Sequence, residues 1–136
     1  MERYLEALAL PLPPISPDTS CIDVLDRFAK DQDLLSIAVV DGDAPVGLVN
    51  RHEFLLEMSR LFGRALYDKR PIALLMDKSP LIVGPDETVT GLNARIIGEK
   101  PAALLQGFIL VVQGRYIGVG TPLALLKATT EHMERK

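Results

Sequence analysis

The chain has no tryptophan, one cysteine and two histidines in 136 residues, and only 5% of it is aromatic. A single thiol, Cys21, excludes an internal disulfide and any cysteine-based metal cluster. His52 and His132 stand among scattered carboxylates and define no acid–base pair. No glycine-rich loop ends in Lys-Ser or Lys-Thr, so the phosphate-cradling signature of nucleotide hydrolases is missing. No apolar run approaches the ~20 residues that span a bilayer. The N-terminus has no basic segment leading into an apolar core, because Glu2 and Glu6 interrupt it and prolines begin at Pro11. A net charge of −3 gives no general attraction to nucleic acid. These absences predict a cytoplasmic, non-catalytic protein that needs no metal or cofactor and engages neither membrane nor nucleic acid.

What is present is an ordinary globular composition, 48% hydrophobic and 24% charged, in a length that buries a core without staples. The chain also repeats itself. Pro17-Asp18-Thr19-Ser20 recurs as Pro85-Asp86-Glu87-Thr88. Each follows a short apolar stretch, Pro14-Ile15 or Leu81-Ile82-Val83, and each precedes an amphipathic segment marked by Cys21, Leu25 and Phe28 or by Val89, Leu92 and Ile96. The hydroxyl and carboxylate side chains ahead of each segment suit helix caps. Cys21, at an apolar helix position, reads as a small core residue.

A second half-unit is duplicated as well. Ser36–Val40, the turn Asp41-Gly42-Asp43 and Pro45–Val49 match Phe108–Val112, the turn Gln113-Gly114-Arg115 and Tyr116–Val119. Two strands around a short glycine-containing turn predict a hairpin. A helix is expected after each, with Phe54, Leu55, Met58 and Phe62 on the apolar face of the first and Leu123, Leu126, Thr130 and Met133 on that of the second. The unit is therefore strand, helix, strand, strand, helix, present twice with about 70 residues between equivalent positions. The predicted fold class is α/β (α+β). Its divisions are an N-terminal arm (1–12), a first repeat (13–61), a linker and lead-in helix (62–76), a second repeat (77–128) and a helical tail (129–136).

This pattern resembles a tandem pair of CBS domains, the Bateman module, over residues 13 to about 128. The marks are the Pro17–Ser20 cap, the hairpin with glycine in its second strand, and the helix directly after it. Arg70–Met76 is similar to the helical lead-in of a CBS repeat, and Phe62–Pro71 to the inter-repeat linker of bacterial modules attached to signalling domains. The resemblance implies two repeats packed through their sheets about a pseudo-twofold axis, leaving two clefts. It implies a homodimeric sensor that binds AMP, ATP, S-adenosylmethionine or another adenosine-type ligand and passes occupancy to a fused or separate output domain.

In the family, a glycine of the last strand is followed three residues later by Ser or Thr and three further on by Asp. Glycine admits close approach to the backbone, the hydroxyl at a helix start meets phosphate, and the carboxylate accepts from ribose hydroxyls. The first repeat supplies Gly47, Asn50 and Glu53, where Glu53 keeps the carboxylate with one more methylene. Asn50 and Glu53 also fit a helix cap and capping box, so ligand binding and capping both account for them. The second repeat supplies Gly118 and Thr121, but Ala124 removes the ribose acceptor. Thr121 as N-cap with Pro122 after it is explained by helix chemistry alone. A single nucleotide cleft is therefore expected at Gly47 and Glu53. The alternative is a dimerisation or protein-interaction module without a ligand.

The linker's Arg60, Arg64, Lys69 and Arg70 read as a solvated basic cluster, and His52 and His132 as surface helix residues. Tyr4, Leu5 and Leu8 suggest a helical arm packed on the module or a partner. Leu126–Lys136 lacks a Gly or Pro stop, which predicts a helix running on into an output domain.

Overall fold

The computed structural model describes residues 8–134, with side chains described to residue 131. Helix α1 (Cys21–Lys30) begins at Ser20, whose hydroxyl accepts from the Asp23 N–H at 3.3 Å. It buries Cys21, Val24 and Phe28, with Leu25 at the margin. Strands β1 (Ser36–Asp41) and β2 (Ala44–Asn50) form the first hairpin, and α2 (Arg51–Ser59) follows with no intervening residue. A short helix α3 (Gly63–Tyr67) and a 3₁₀ turn at Ile72–Leu74 make up the linker. The second unit comprises β3 (Ile82–Val83), α4 (Val89–Glu99), α5 (Ala103–Gln106), the hairpin β4 (Phe108–Val112) and β5 (Arg115–Gly120), and α6 (Pro122–Glu134).

The two hairpins are the same object twice. In the first, Val39 pairs Gly47 and Val40 pairs Pro45, so Val46 is skipped. In the second, Leu110 pairs Gly118 and Val111 pairs Tyr116, so Ile117 is skipped at the equivalent place. Such an extra residue sharpens strand twist. The turns differ in detail. Gln113 and Gly114 both take positive φ, 53° and 77°, whereas only Gly42 does in the first hairpin. The strand ahead of each helix also differs: β3 runs parallel to β4, but its counterpart is reduced to Ile15, bonded on both sides to β1.

Alternation along the strands builds three cores. Ile37 and Val39 face α1 and α2 with Phe28, Phe54 and Met58; Phe108 and Leu110 face α4 and α6 with Leu92, Ile96 and Leu125. The intervening residues Ala38 and Ile109, with Leu48 and Val119 from the partner strands, meet between the sheets. These four are two equivalent pairs, so the inter-repeat core carries the pseudo-twofold symmetry. Burying the leucine, isoleucine and valine among them is worth about 1.5–3 kcal/mol each, which makes the sheet-to-sheet seam a substantial part of the fold.

The lead-in segments are exchanged. Leu10 pairs with Val119 of the second repeat through two 3.0 Å hydrogen bonds, and Leu8 and Ala9 pack on that repeat's core. Asp77 pairs with Leu48 of the first repeat, and Ile72, Leu75 and Met76 join the first core. The arm expected to pack on the module thus packs on its second repeat; Tyr4 and Leu5 lie outside the described residues. The linker is equally bound in. Arg70 and Asp68 carbonyls accept from Cys21 and Ile22 N–H, satisfying the first orphan donors of α1.

Two expectations about helix faces need correction. Helix α2 ends at Ser59, and Phe62 does not continue its apolar face: it is 69% exposed with φ of +67°. The turn brings position 63 against the end of α2, where a Cβ would stand 2.4 Å from the Glu57 carbonyl oxygen. Only glycine fits there, and Phe62 absorbs the left-handed turn. In α6 the core face carries Leu125 and Ala128, while Leu123 and Leu126 are 62% and 61% exposed and Thr130 is exposed too. Met133 and His132 lie outside the described side chains.

Candidate functional site

Two clefts open at the ends of the inter-sheet seam, related by the pseudo-twofold axis. The first, about 480 Å³, is lined by Leu35, Asn50, His52, Glu53, Gln106 and the α5 leucines. The second, about 230 Å³, is lined by the equivalent positions Asp31, Asp33, Leu34, Gln106, Thr121 and Pro122 among others. Only the first reaches the 300–1,000 Å³ usual for small-molecule sites.

Backbone caps place the polar groups. The Asn50 side chain accepts from the Glu53 N–H at 3.1 Å, and the Thr121 hydroxyl accepts from the Ala124 N–H at 3.1 Å. Both expected caps are therefore present, and Pro122 is the first residue of α6. The reciprocal half of the capping box is not. The Glu53 carboxylate instead crosses to the other repeat and accepts from Gln106 Nε2 at 3.0 Å. Glu53 and Asn50 line one cavity together, whereas Thr121 lines the other.

The two glycines serve the fold at close quarters. A Cβ on Gly47 would stand 2.4 Å from Met76 Sδ, and one on Gly118 would stand 2.7 Å from the Leu10 carbonyl oxygen. Each admits the exchanged lead-in of the other repeat. Neither glycine lines either of the two clefts.

Gln106 was not singled out in the sequence. It is 7% exposed and lines both clefts. Its side chain reaches Glu53, and its backbone carbonyl accepts from the buried Ser36 hydroxyl of the first repeat. A spacing signal marks it. Ser20 and Thr88, equivalent caps, stand 68 positions apart, while Gly47 and Gly118 stand 71 apart. The three extra residues fall between α4 and β4, where they build α5 and present Gln106 to the seam.

Arginines near the first cleft and in the linker are committed elsewhere. Arg51 Nη1 donates to the Asp31 and Leu34 carbonyls at 2.8 and 3.2 Å, and its guanidinium lies 5.4 Å from the Phe28 ring centroid. In the linker, Arg64 forms a two-point contact with Asp68, and Arg60 faces Glu57 at 3.5 Å. The Cys21 thiol is fully buried, and desolvation, with Asp68 nearby, pushes its pKa up. It is a core residue. Among the described residues no group of three His, Cys, Asp or Glu side chains is placed to hold a metal ion. No helix among them is long and apolar enough to cross a membrane.

Two β-α-β-β-α units joined sheet to sheet, with equivalent clefts and exchanged lead-ins, define the α+β fold of a tandem CBS pair. Residues 7–60 match the CBS domain family model. The CBS-pair protein CBSX2 from Arabidopsis thaliana superposes with a TM-score of 0.76 at 19% identity, covering 100% of this chain and 99% of that one. The structure of CBSX2 in complex with AMP gives 0.73 at 20% identity, covering 96% and 98%. A putative acetoin utilization protein, AcuB from Vibrio cholerae, gives 0.73 at 14% identity, covering 98% and 95%. No curated protein matches the chain by sequence.

Proposed function

We propose that the chain is a non-catalytic regulatory CBS-pair module that binds an adenosine-type ligand in the Glu53 cleft and couples its occupancy to an output domain or partner. The observation that carries this reading is the Glu53 carboxylate, held at the mouth of the larger cleft and bridging the two repeats through Gln106. A ribose diol offers two donors to such a carboxylate, and the apolar wall of that cleft suits a base. Binding there engages both repeats at once, so occupancy favours one arrangement of the pair over another. CBSX2, of the same fold, has been captured with AMP. The division into repeats at 13–61 and 77–128, a cytoplasmic setting and a homodimer belong to the same proposal.

A second reading, a ligand-free dimerisation module, is favoured by Ala124 in place of a carboxylate and by the apolar surface of Ile97, Leu105, Leu123 and Leu126 on the second repeat. A thermal-shift screen against adenosine, AMP, ATP and S-adenosylmethionine separates the two. A ligand at 100 times its Kd stabilises by about 2.7 kcal/mol, a rise of several degrees in Tm for a domain of this size. No shift with any of them at millimolar concentration, together with a dimer in sedimentation, establishes the second reading in place of the first.

A further inference from the structure

We infer that the Glu53 cleft selects an uncharged nucleoside and discriminates against its phosphorylated forms. This rests on the adenosine-type reading above and narrows it to a chemical class.

The cleft has the parts a nucleoside needs. Leu35, Ala102, Leu104 and Leu105 supply an apolar wall, and Glu53 with Gln106 supplies the polar pair opposite. A phosphate needs something more, a fixed cation or a cluster of free backbone donors. Among the described residues, no Lys or Arg lines this cleft or its counterpart. The nearest guanidinium at the start of α2, Arg51, is turned onto two carbonyls and a phenyl ring.

Apart from His52, the titratable side chain lining the cleft has the wrong sign for phosphate. Glu53 lies in the first turn of α2 and offsets the partial positive charge of that helix terminus, about half a unit. The N–H of Glu53 is already taken by the Asn50 side chain. The counterpart cleft is rimmed by Asp31 and Asp33. A dianionic phosphate in either place meets carboxylate rather than cation. Like charges about 8 Å apart at an effective dielectric of about 20 repel enough to cost more than ten-fold in affinity.

Gln106 fixes how the acceptor is presented. In the unliganded chain its amide donates to the exposed Glu53 carboxylate, so a ligand hydroxyl takes the place of an internal donor of the same kind. AMP and ATP carry the same diol, so the discrimination comes from the added phosphate, which offers Glu53 no donor of its own.

The test is calorimetric titration of the full chain with adenosine, AMP and ATP at pH 8. Adenosine is expected to bind at least about ten-fold tighter than AMP, with ATP no better than AMP. Glu53→Gln, which keeps the shape and removes the charge, is expected to draw the AMP-to-adenosine ratio of Kd values toward one, with Tm showing that the variant is folded. AMP or ATP binding tighter than adenosine overturns the selection and leaves the sensor reading standing. An unchanged ratio in Glu53→Gln overturns the role given to that carboxylate. Silence from all three ligands removes the sensor reading and this inference together.

Discussion

Glycine 118 and glycine 47 occupy equivalent strand positions, yet their neighbours differ in how far they yield. The atom nearest a Cβ at 47 is the sulfur of Met76, the flexible part of a side chain that turns aside; at 118 it is the backbone oxygen of Leu10. Gly118→Ala is therefore expected to cost about 2 kcal/mol or more, and Gly47→Ala clearly less, because overpacking is costly when the neighbour is main chain. Urea titrations of the two variants check the order. A complementary exchange sits two residues further along the strand. The Ile37–Val49 pair of the first hairpin becomes Phe108–Gly120 in the second, and the phenyl ring fills the volume the glycine vacates, 2.1 Å from where a Cβ would be. Two repeats thus reach equal packing by different partitions of the same space.

At the scale of elements, four helices begin on side-chain caps: Ser20, Asn50, Thr88 and Thr121. Thr88→Ala is expected to destabilise by about 1 kcal/mol, read as a lowered urea midpoint with an unchanged slope. The caps and hairpins were legible in the sequence because a Pro-Asp-x-Thr or Asp-Gly signal acts within four residues. The phase of α6 was not. Leu123, Leu125, Leu126, Ala124 and Ala128 surround its first turns, so apolar periodicity offers more than one face, and the neighbouring α4 and α5 decide that Leu125 and Ala128 turn inward. The end of α2 was hidden for a related reason. Gly63 looks like an ordinary stop, but its requirement comes from the Glu57 carbonyl it abuts, and Phe62 takes the positive φ instead. Asn50 and Thr121 were legible as caps, but the partner of Glu53 was not: Gln106 meets it only because the sheets pack together, and no local pattern records a contact between residues 53 positions apart.

At the scale of the whole molecule, the exchanged lead-ins make each repeat depend on chain from outside it. The arm closes over Tyr116, whose hydroxyl donates to the Leu12 carbonyl at 2.7 Å, and burial pushes this phenol up to about 12. A phenol with a folded pKa above its ordinary value near 10 contributes stability that is complete below pH 10 and is lost as pH rises through 12. Absorbance titration is expected to show one phenol ionising near 12, a phase that Tyr116→Phe removes. Leu10→Pro deletes the N–H that bonds Val119. It is expected to move that phase back toward ordinary tyrosine and to lower Tm. An unmoved phase in Leu10→Pro means the arm does not shield Tyr116.

The clasp formed by the arm also sets an order of events during synthesis. Leu12 and the Tyr116 that it receives are 104 residues apart. At ribosomal rates of about 5–20 residues per second, the arm waits roughly 5–20 seconds for its partner to be made. The lead-in to the second repeat has no such delay, since Asp77 follows Leu48 closely and finds its strand already emerged. The nascent chain therefore completes its first repeat before Leu10 and Leu12 meet their partners, and a segment that precedes both repeats closes last.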